Sequence, residues 1–341
     1  MKKVLSVILA SLMLLGVTAC SGKSGDSGQS GGEETVRVGI VTDMGIDEAE
    51  WLQNLVAGLK DYTAQNEGID IKVIEATDVA EYEPKVRALA EDSYDIIIIT
   101  MNSGMAGATT AVASDYPDII FGSQNGNIEN LSSYKNIEEF GLNRTETGFL
   151  AGVAAACMSE AATVGIVLGS DEPDLNAIGA GWQQGLVWAD PDITDYLVYS
   201  NSFTDPTIGK ELGLSLIGRG CDVIAGAAGG TGVGVAQAAA ENDCWYVAWD
   251  VHYPEVFTAK QLELGSAVNW FNIMYLAFID DVLNDNYRPG EFVEYGMDKG
   301  VCAFEYPEGS QISDEAKTKV EEAMDLIVKG EIELSATPLH K

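Results

Sequence analysis

The chain has 341 residues, 46% of them hydrophobic, and its 19 basic and 53 acidic residues give a formal net charge of −34. This length suggests about two domains, and the apolar content argues against a globally disordered chain. The negative charge repels phosphate backbones, so we expect no nucleic-acid partner.

The first twenty residues have the pattern of a bacterial lipoprotein signal. Lys2 and Lys3 form a charged start, and the apolar run at 4–17 is too short to be a stable membrane anchor. The run closes on the letters VTAC, which resemble a lipobox, and this predicts acylation of Cys20 at the extracytoplasmic face of the cell membrane. The alternative is an ordinary secretory peptide with an incidental cysteine.

A linker rich in glycine and serine follows at residues 21–35. Such a composition gives a flexible, solvated chain. We therefore expect it to tether a globular body, beginning at Val36, to the acyl chains that supply membrane affinity. No other stretch of the sequence is long and apolar enough to predict a transmembrane segment.

From Val36 onward, short β-rich runs alternate with helical patterns. The predicted strands lie at 36–41, 70–76, 95–100, 118–124, 163–170, 194–200, 222–228 and 245–249. Most runs are continuous rather than alternating, which is typical of strands buried on both faces. Apolar residues between them recur on one helix face, and a last helix is predicted at 314–327. The pattern predicts an α/β fold of two doubly wound, mostly parallel sheets.

Ligands of open parallel sheets bind beyond the carboxyl ends of the strands. Polar residues that follow the predicted strands are therefore the candidate ligand-binding residues, and two such edges facing each other would form a polar cleft. They are Asp43, Gly45, Asn102, Ser103, Gln124, Asn125, Gly230, Gly232 and Asp250. Asp47 and Trp51 lie close by, where the first helix begins.

Trp51 has two interpretations. A tryptophan in the first turn of a helix is usually core or half-buried surface, whereas beside a polar edge its apolar face can stack on a flat ligand. Asp47 and Glu48 also have a plain structural interpretation, because the free amides and the dipole of a helix start favour carboxylates.

The glycine block GGTGVG at 229–234 is placed between a predicted strand and a predicted helix. No GxGxxG can be aligned there, and no GxxxxGK[ST] occurs in the sequence, so a phosphate loop is disfavoured. We interpret the block as tight packing or as close approach of the backbone to a neutral ligand.

Hydrolytic chemistry is poorly supported. The two histidines are His252, beside the cleft rim, and His340, at a terminus that we expect to fray, and no GxSxG motif supplies a serine. Asp43, Asp47 and Glu48 lie close in sequence but lack the spacing of an EF-hand. We predict no catalytic residue, no metal site and no cofactor.

Four cysteines follow Cys20. Cys157, Cys221, Cys244 and Cys302 lie in apolar sequence without CxxC spacing, which favours buried small side chains over disulfides. A disulfide between Cys221 and Cys244 stays open as the alternative, provided that their strands bring the two residues close.

Several motifs together resemble the basic membrane protein family, whose members include bacterial purine nucleoside receptor lipoproteins. The motifs are the lipobox, VGIVTDMGIDEAEW, FLAGVAAACMS, VGIVLGS, and GCDVIAGAAGGTGVGVAQAAAE followed by a strand that ends in Asp250. The likeness covers nearly all of residues 36–290. It implies a monomer with a type I periplasmic-binding-protein fold that delivers a nucleoside to an ABC permease.

The resemblance also implies two α/β lobes joined by a three-stranded hinge. The expected N-terminal lobe comprises 36–140 and 268–296, and the C-terminal lobe comprises 141–267 and 297–336. By the same likeness, Trp51 would stack on the purine and Asp250 would hold the ribose hydroxyls. Asp43, Gly45 and the glycine block would border the cleft.

Three departures from the family pattern imply an altered ligand or an altered pose. Leu52 stands where the family has a base-reading asparagine, Gln124 replaces an acid, and Asn269 replaces a ribose-binding lysine. We therefore expect Asp250 to lack a cationic partner. Four residues are candidates for replacement hydrogen bonds: Asn54, Asn102, Ser103 and Asn125.

The sequence thus predicts a lipid-anchored receptor for a nucleoside. One alternative is a receptor for another small polar solute, such as a sugar. The alternative from a different class is a surface-anchored nucleoside hydrolase that uses carboxylate chemistry at Asp43 and Asp47.

Overall fold

The computed structural model describes residues 35–48, 50–100 and 103–340. The predicted signal, most of the linker, Cys20 and Asn102 lie outside the described residues. Within the described ranges, no helix combines the length and the apolar character that crossing a membrane requires.

The described chain contains twelve strands and nine α-helices. The strands are β1 Val36–Thr42, β2 Ile69–Glu75, β3 Ile96–Ile99, β4 Ile120–Gln124, β5 Ile137–Leu142, β6 Thr163–Leu168, β7 Thr194–Tyr199, β8 Val223–Ala227, β9 Trp245–Trp249, β10 Glu263–Asn269, β11 Phe292–Tyr295 and β12 Cys302–Glu305. The helices are α1 Glu50–Gln65, α2 Val79–Glu91, α3 Ala106–Asp115, α4 Arg144–Met158, α5 Pro173–Ala189, α6 Pro206–Gly218, α7 Gly230–Glu241, α8 Phe271–Leu283 and α9 Asp314–Val328.

Two compact units share the chain. The first unit contains the described residues up to Gly141 and Tyr275–Val293, and the second contains Leu142–Met274 and the described residues from Glu294 onward. The chain therefore crosses between the units three times. The second crossover lies in the first turn of α8 and not, as the sequence suggested, within β10, because β10 is paired into the sheet of the second unit.

Each unit is built on a six-stranded sheet. The order is β11-β5-β4-β3-β1-β2 in the first sheet and β12-β10-β9-β8-β6-β7 in the second. β1 pairs in parallel with β2 and β3, and β12 runs antiparallel to β10. Central strands such as β3 and β8 are buried along their whole length, as the continuous runs predict, whereas the edge strands β2 and β7 are largely half-buried or exposed.

Sequence patterns missed β5, although all six of its residues are buried. Two glutamates interrupt its apolar character, and both are paired inside the first unit. Glu138 accepts a hydrogen bond from the backbone amide of Arg288, and Glu139 accepts one from the amide of Ile128 at 3.2 Å. Burial of these carboxylates is thus compensated by hydrogen bonds that no local pattern reveals.

Glycines bring two pairs of helices in the second unit into backbone contact. A Cβ added at Gly152 of α4 would lie 2.2 Å from the carbonyl oxygen of Trp182 in α5, and one added at Gly234 of α7 would lie 1.8 Å from that of Pro206 in α6. The block 229–234 is therefore not a loop ahead of a helix. α7 begins at Gly230, and tight packing is the main use of these glycines.

The C-terminal segment is fixed to α5, so the expectation of a fraying terminus at His340 is wrong. Gln183, which is buried, donates to the carbonyl oxygen of His340 at 2.8 Å and accepts from the amide of Leu339 at 2.6 Å. The His340 ring lies 2.9 Å from a carboxylate oxygen of Asp195.

All four cysteines of the described residues are free thiols. Cys221, Cys244 and Cys302 are buried, as predicted, whereas Cys157 is only half-buried. The Cys244 thiol lies 3.7 Å from the carbonyl oxygen of Cys221, so the two residues are close without forming a disulfide.

Candidate functional site

At the carboxyl edge of the first sheet, the turn after β1 is held by neighbouring strand ends. The Thr100 hydroxyl donates to the Asp43 carboxylate at 3.3 Å. The next residues form a short turn in which the carbonyl of Gly45 accepts from the amide of Glu48, while the amide of Ile46 donates to Glu75 at 2.7 Å. Asp43 is half-buried at this edge, where the sequence predicts a ligand contact.

Gln124, at the end of β4, is only 1% exposed. Its side-chain oxygen accepts a hydrogen bond from the hydroxyl of Tyr275, a buried residue of α8. Burial raises the pKa of Tyr275 well above its ordinary value, with a smaller contribution from Asp43, so this phenol keeps its proton. The Gln124 oxygen is thus committed to the protein, and a ligand role is left to the amide NH2 group.

Asn125 takes a left-handed backbone conformation, with φ 47°. Its side-chain oxygen lies against the backbone of β5, because a Cβ added at Gly141 would lie 2.4 Å from it. Asn125 therefore shapes the turn after β4. Its ligand contact stays a prediction, as does that of Ser103, which begins the 3-10 turn Ser103–Met105.

Trp51, in the first turn of α1, is half-buried and does not belong to the fully buried core. The next residue, Leu52, is 0% exposed, so the position of the family's base-reading asparagine is closed by apolar packing. Asp47 and Asn54 are exposed on either side of this turn. The structure therefore excludes a fully buried core position for Trp51 and shows a half-buried side chain. Stacking of Trp51 on a ligand stays a prediction.

At the carboxyl edge of the second sheet, Asp250 follows β9 in a left-handed conformation with φ 61°. Its Oδ1 accepts two hydrogen bonds from Asn269 at the end of β10, one from the backbone amide at 3.1 Å and one from the side-chain amide at 2.7 Å. Among the described residues, both hydrogen bonds to this carboxylate end on Oδ1. The structure thus brings together two residues that the sequence analysis assigned to the ribose hydroxyls.

Arg144, the first residue of α4, carries a charge that acts on the Asp250 carboxyl, but among the described residues no ion pair joins the two side chains. The expectation that Asp250 lacks a direct cationic partner therefore stays a prediction. Asp250 is accessible to solvent, yet the surrounding protein desolvates its carboxyl group and raises its pKa. The charge of Arg144 and the hydrogen bonds from Asn269 oppose this rise. Sequence analysis missed Arg144 because it missed β5, the strand whose end carries α4 to this edge.

Phe203 is a second residue that the sequence analysis did not assign. Its ring is 45% exposed and lies against the backbone after β6, since a Cβ added at Gly169 would lie 2.1 Å from the ring. Its carbonyl oxygen faces Gly229 and Gly230 at the start of α7. Phe203 thus supplies an exposed aromatic ring at the second edge. It lies in the loop after β7, where the sequence has no periodic pattern from which to predict it.

The two glycines of the predicted ligand contact differ in position. Gly230 is exposed at the first position of α7, whereas Gly232 is buried and its carbonyl accepts from the Tyr246 hydroxyl at 3.3 Å. The structure therefore brings Gly230, but not Gly232, to the surface of the edge.

His252 lies two residues beyond Asp250, but its ring pairs with Glu263, which is buried. The second carboxylate oxygen of Glu263 accepts from the backbone amide of Tyr253. His252 is thus held as part of a structural loop. Within the described ranges, no group of three His, Cys, Asp or Glu residues is placed to hold a metal ion.

Comparisons with known proteins agree with this architecture. The sequence model of the family described as ABC transporter substrate-binding protein PnrA-like (Bmp) matches residues 35–337. The "CD4+ T-cell-stimulating antigen" of Listeria innocua serovar 6a is 26% identical over 98% of both chains. The "ABC transporter nucleoside-binding protein BmpA" of Lactococcus lactis subsp. cremoris is 26% identical over 69% of this chain and 67% of its own.

A solved solute-binding protein of an ABC transporter system, from Conexibacter woesei, superposes with a TM-score of 0.68. The match covers 89% of this chain and 99% of that protein at 18% identity. At this identity the likeness concerns the fold alone, and it confirms the predicted α/β solute-binding fold with two parallel-rich sheets.

Proposed function

Because the chain belongs to the family of PnrA-like ABC transporter substrate-binding proteins, we propose that it is a nucleoside receptor, anchored by acylated Cys20 at the extracytoplasmic face of the cell membrane. Family membership gives the class of partners, which are a small-molecule solute and a membrane permease. The nucleoside-binding relative from Lactococcus lactis supports the choice of solute. We expect the receptor to act as a monomer.

The observation that carries the proposal is the fixed carboxylate of Asp250. An ionised carboxylate only accepts hydrogen bonds, so the ligand groups that pair with it are donors such as hydroxyls. Asn269 occupies Oδ1 twice, which leaves Oδ2 for ligand donors. The hydroxyl groups of a ribose are donors of this kind.

Aromatic rings at both edges suit the other half of a nucleoside. Trp51 in the first unit is half-buried, and Phe203 in the second unit is 45% exposed. A planar base gains affinity when such a ring covers its apolar face. A sugar without a base would use the carboxylate but would gain little from either ring, which is why the nucleoside is preferred over the sugar alternative.

A thermal-shift screen tests the proposal directly. The panel contains adenosine, guanosine, inosine, uridine and cytidine, their free bases, and ribose, arabinose and glucose. A ligand at a hundredfold excess over its Kd stabilises the protein by about 2.7 kcal/mol. We expect a shift with at least one nucleoside and smaller shifts with its base and with ribose; no shift with any nucleoside would refute the assignment.

The same panel separates a receptor from a hydrolase. The relatives reported above are substrate-binding proteins. We expect saturable binding with no release of free base when the protein is incubated with the nucleosides and the mixture is analysed by chromatography. Catalytic release of base would contradict the receptor assignment.

A further inference from the structure

Glu263, at the start of β10, is a buried acidic residue in the second unit. It is only 2% exposed, and burying a carboxylate is costly unless its oxygens are paired. Oε1 pairs with the ring nitrogen Nδ1 of His252, and Oε2 accepts from the backbone amide of Tyr253 at 2.9 Å. Because a carboxylate only accepts hydrogen bonds, Nδ1 is the donor. Both oxygens of Glu263 thus hold the loop that begins with Asp250.

The pairing of β10 with β9 is irregular at this residue. Glu263 lies opposite Tyr246 and Gly265 lies opposite Val247, so two steps along β10 match one step along β9. An extra residue in one strand redirects the side chains beside it. Regular pairing is therefore interrupted at the residue whose carboxylate holds the loop.

β10 holds the same loop near both of the strand's ends. At the end of β10, Asn269 donates two hydrogen bonds to Oδ1 of Asp250, and the carbonyl of Ala267 accepts from the backbone amide of Asp250 at 2.9 Å. At the start of β10, Glu263 holds His252 and the residue after it. The turn from Asp250 to His252 is thus fixed on both sides by one strand.

The backbone of Asp250 depends on such support. Its φ of 61° lies in the left-handed region, which non-glycine residues seldom adopt and which persists where the surrounding structure enforces it. A turn that is released at His252 can relax toward negative φ at Asp250. Such a change would turn the carboxylate away from its present direction.

We propose that Glu263 is a positioning residue for ligand binding, which acts through His252 and the amide of Tyr253 to keep the Asp250 carboxylate directed at the hydroxyl groups of the ligand. Asn269 orients the carboxylate itself, and Glu263 fixes the backbone that carries it. This inference rests on the proposed nucleoside receptor function.

The test uses the full-length protein and its Glu263→Leu, His252→Phe and His252→Asn variants. Glu305→Leu is the matched control, since Glu305 of β12 lies 4.0 Å from Nε2 of the same imidazole, which is too far for a hydrogen bond, and its loss changes the net charge equally. The probes are adenosine, guanosine, uridine and cytidine and their 2′,3′-dideoxy analogues. Affinities are measured by isothermal titration calorimetry after circular dichroism has verified the fold of each variant.

Glu263→Leu is expected to weaken ribonucleoside binding by about tenfold, because the carboxylate that accepts from the ligand hydroxyls is no longer held in place. The weaker binding of the dideoxy analogue should change little, so the affinity ratio between the two ligands shrinks. Glu305→Leu should not alter this ratio. A purely structural role of Glu263 would weaken both ligands by the same factor, and that result would overturn the inference.

The two histidine variants keep the inference testable if Glu263→Leu does not fold. His252→Phe removes the donor to Oε1, whereas His252→Asn keeps an amide donor at the δ position. The ratio should therefore shrink in His252→Phe, by less than in Glu263→Leu because Tyr253 is still bound, and should be largely kept in His252→Asn. Equal ratios in the two histidine variants would contradict the positioning role.

A double-mutant cycle gives an independent readout. In a protein that already carries Asp250→Ala, the group that Glu263 positions is absent. Adding Glu263→Leu should therefore cost little further ribonucleoside affinity, so the two losses are not additive. Fully additive losses would show that Glu263 acts through other contacts, and the inference would then be wrong.

The outcomes also distinguish this inference from the proposed function. If the unmodified protein binds no probe, the nucleoside assignment fails and the role of Glu263 fails with it. If it binds a ribonucleoside more tightly than the dideoxy analogue and Glu263→Leu keeps that preference, only the role of Glu263 is refuted.

Discussion

The carboxyl edges of the two sheets carry similar sets of polar residues but use them differently. At the first edge, the Gln124 oxygen is taken by Tyr275 and the Asn125 oxygen packs against Gly141. At the second edge, the amides of Asn269 meet on one oxygen of Asp250 and leave the other oxygen for a donor. The position of a residue after a strand predicts where it lies, but its partners decide whether it can bind a ligand.

The two units also differ in how their helices are placed. The second unit sets α4 against α5 through glycines whose backbones touch those of the neighbouring helix, and this contact brings Arg144 beside Asp174. In α3 of the first unit, by contrast, a Cβ added at Gly107 meets nothing within 4 Å. Gly152 is therefore a position of backbone contact between helices, whereas Gly107 is not.

The largest expected effect tests this difference in packing. Gly152→Ala in α4 should lower the free energy of unfolding by about 3 kcal/mol, because the new methyl group overlaps the backbone of Trp182 and forces the helices apart. Gly107→Ala in α3 should instead raise it by up to about 1 kcal/mol, since alanine favours an exposed helix position. Urea unfolding measures the free energy of unfolding of both variants. Equal changes in Gly152→Ala and Gly107→Ala would contradict the difference in packing between the two helices.

The next effect concerns ligand affinity at the second edge. Asp250→Ala should weaken nucleoside binding by about a hundredfold, because the acceptor of the hydroxyl groups is lost. The matched control is Asp243→Ala: Asp243 precedes β9 with φ 54°, Asp250 follows it with φ 61°, and both are exposed. Backbone strain is therefore similar in the two variants. Isothermal titration calorimetry measures the nucleoside affinity of both variants. An equal loss of affinity in Asp250→Ala and Asp243→Ala would show that Asp250 is not part of the ligand site.

At the first edge, Gln124→Ala should act mainly on stability. It leaves the buried hydroxyl of Tyr275 without its acceptor, which costs about 2 kcal/mol. The double variant Gln124→Leu with Tyr275→Phe removes both partners and should recover most of this loss. Chemical denaturation of the three proteins measures the coupling, and an unchanged stability for Gln124→Ala would show that the Tyr275 hydrogen bond contributes little.

Trp51→Ala should weaken binding of a nucleoside by about tenfold, since stacking of a base on an aromatic ring contributes about 1–3 kcal/mol. Trp188→Ala is the control, because Trp188 is also partly buried but packs against Phe149 and Lys319 in the second unit. Ribose should bind both variants equally. If Trp51→Ala binds the nucleoside as tightly as the unmodified protein, the base does not stack on Trp51.

The smallest effect contrasts two carboxyl groups by pH. Burial raises the pKa of Glu146 in the second unit, whereas a hydrogen bond donated by Lys85 lowers that of Glu81 in the first. The Glu146 contribution to stability is thus present at acid pH and lost as the pH rises through its raised pKa. The Glu81 contribution is present above the ordinary glutamate pKa and lost as the pH falls through its lowered one.

Melting temperatures of Glu146→Gln and Glu81→Gln between about pH 3 and pH 8 measure this contrast. Relative to the unmodified protein, Glu146→Gln should gain stability toward neutral pH, and Glu81→Gln should lose it. Differences of the same sign would contradict the assignment of burial as the dominant influence on Glu146.

Much of the architecture was predictable from local pattern. The runs at 36–41 and 245–249 correspond closely to β1 and β9, and the predicted last helix at 314–327 corresponds to α9. Continuous apolar runs identify strands because burial on both faces leaves no position for a polar side chain. β5 was not predicted because Glu138 and Glu139 interrupt its apolar run. The cost of burying these two carboxylates is compensated by hydrogen bonds from other segments of the chain.

The site was predictable as a set of strand ends, and less so as chemistry. Asp250, Asn269 and Trp51 are candidates from position and family resemblance, and their contacts with a ligand stay predictions. Arg144 and Phe203 were missed because one follows an unrecognised strand and the other lies in a loop without periodicity. Tight packing of the block 229–234 was one of two interpretations that the sequence left open, because composition alone does not distinguish close approach to a ligand from a close helix contact.

The sequence by itself determined the alternation of strands and helices, the family, and the strand ends at which polar residues gather, since these follow from short-range periodicity and contiguous motifs. Only the tertiary structure decided which of those polar groups are committed to the protein. The partner of Gln124 lies 151 residues away in Tyr275, and Asp250 is paired with Asn269 of another strand. Such pairings depend on how buried surfaces pack, and hydrogen bonds across that packing leave no local pattern in the chain.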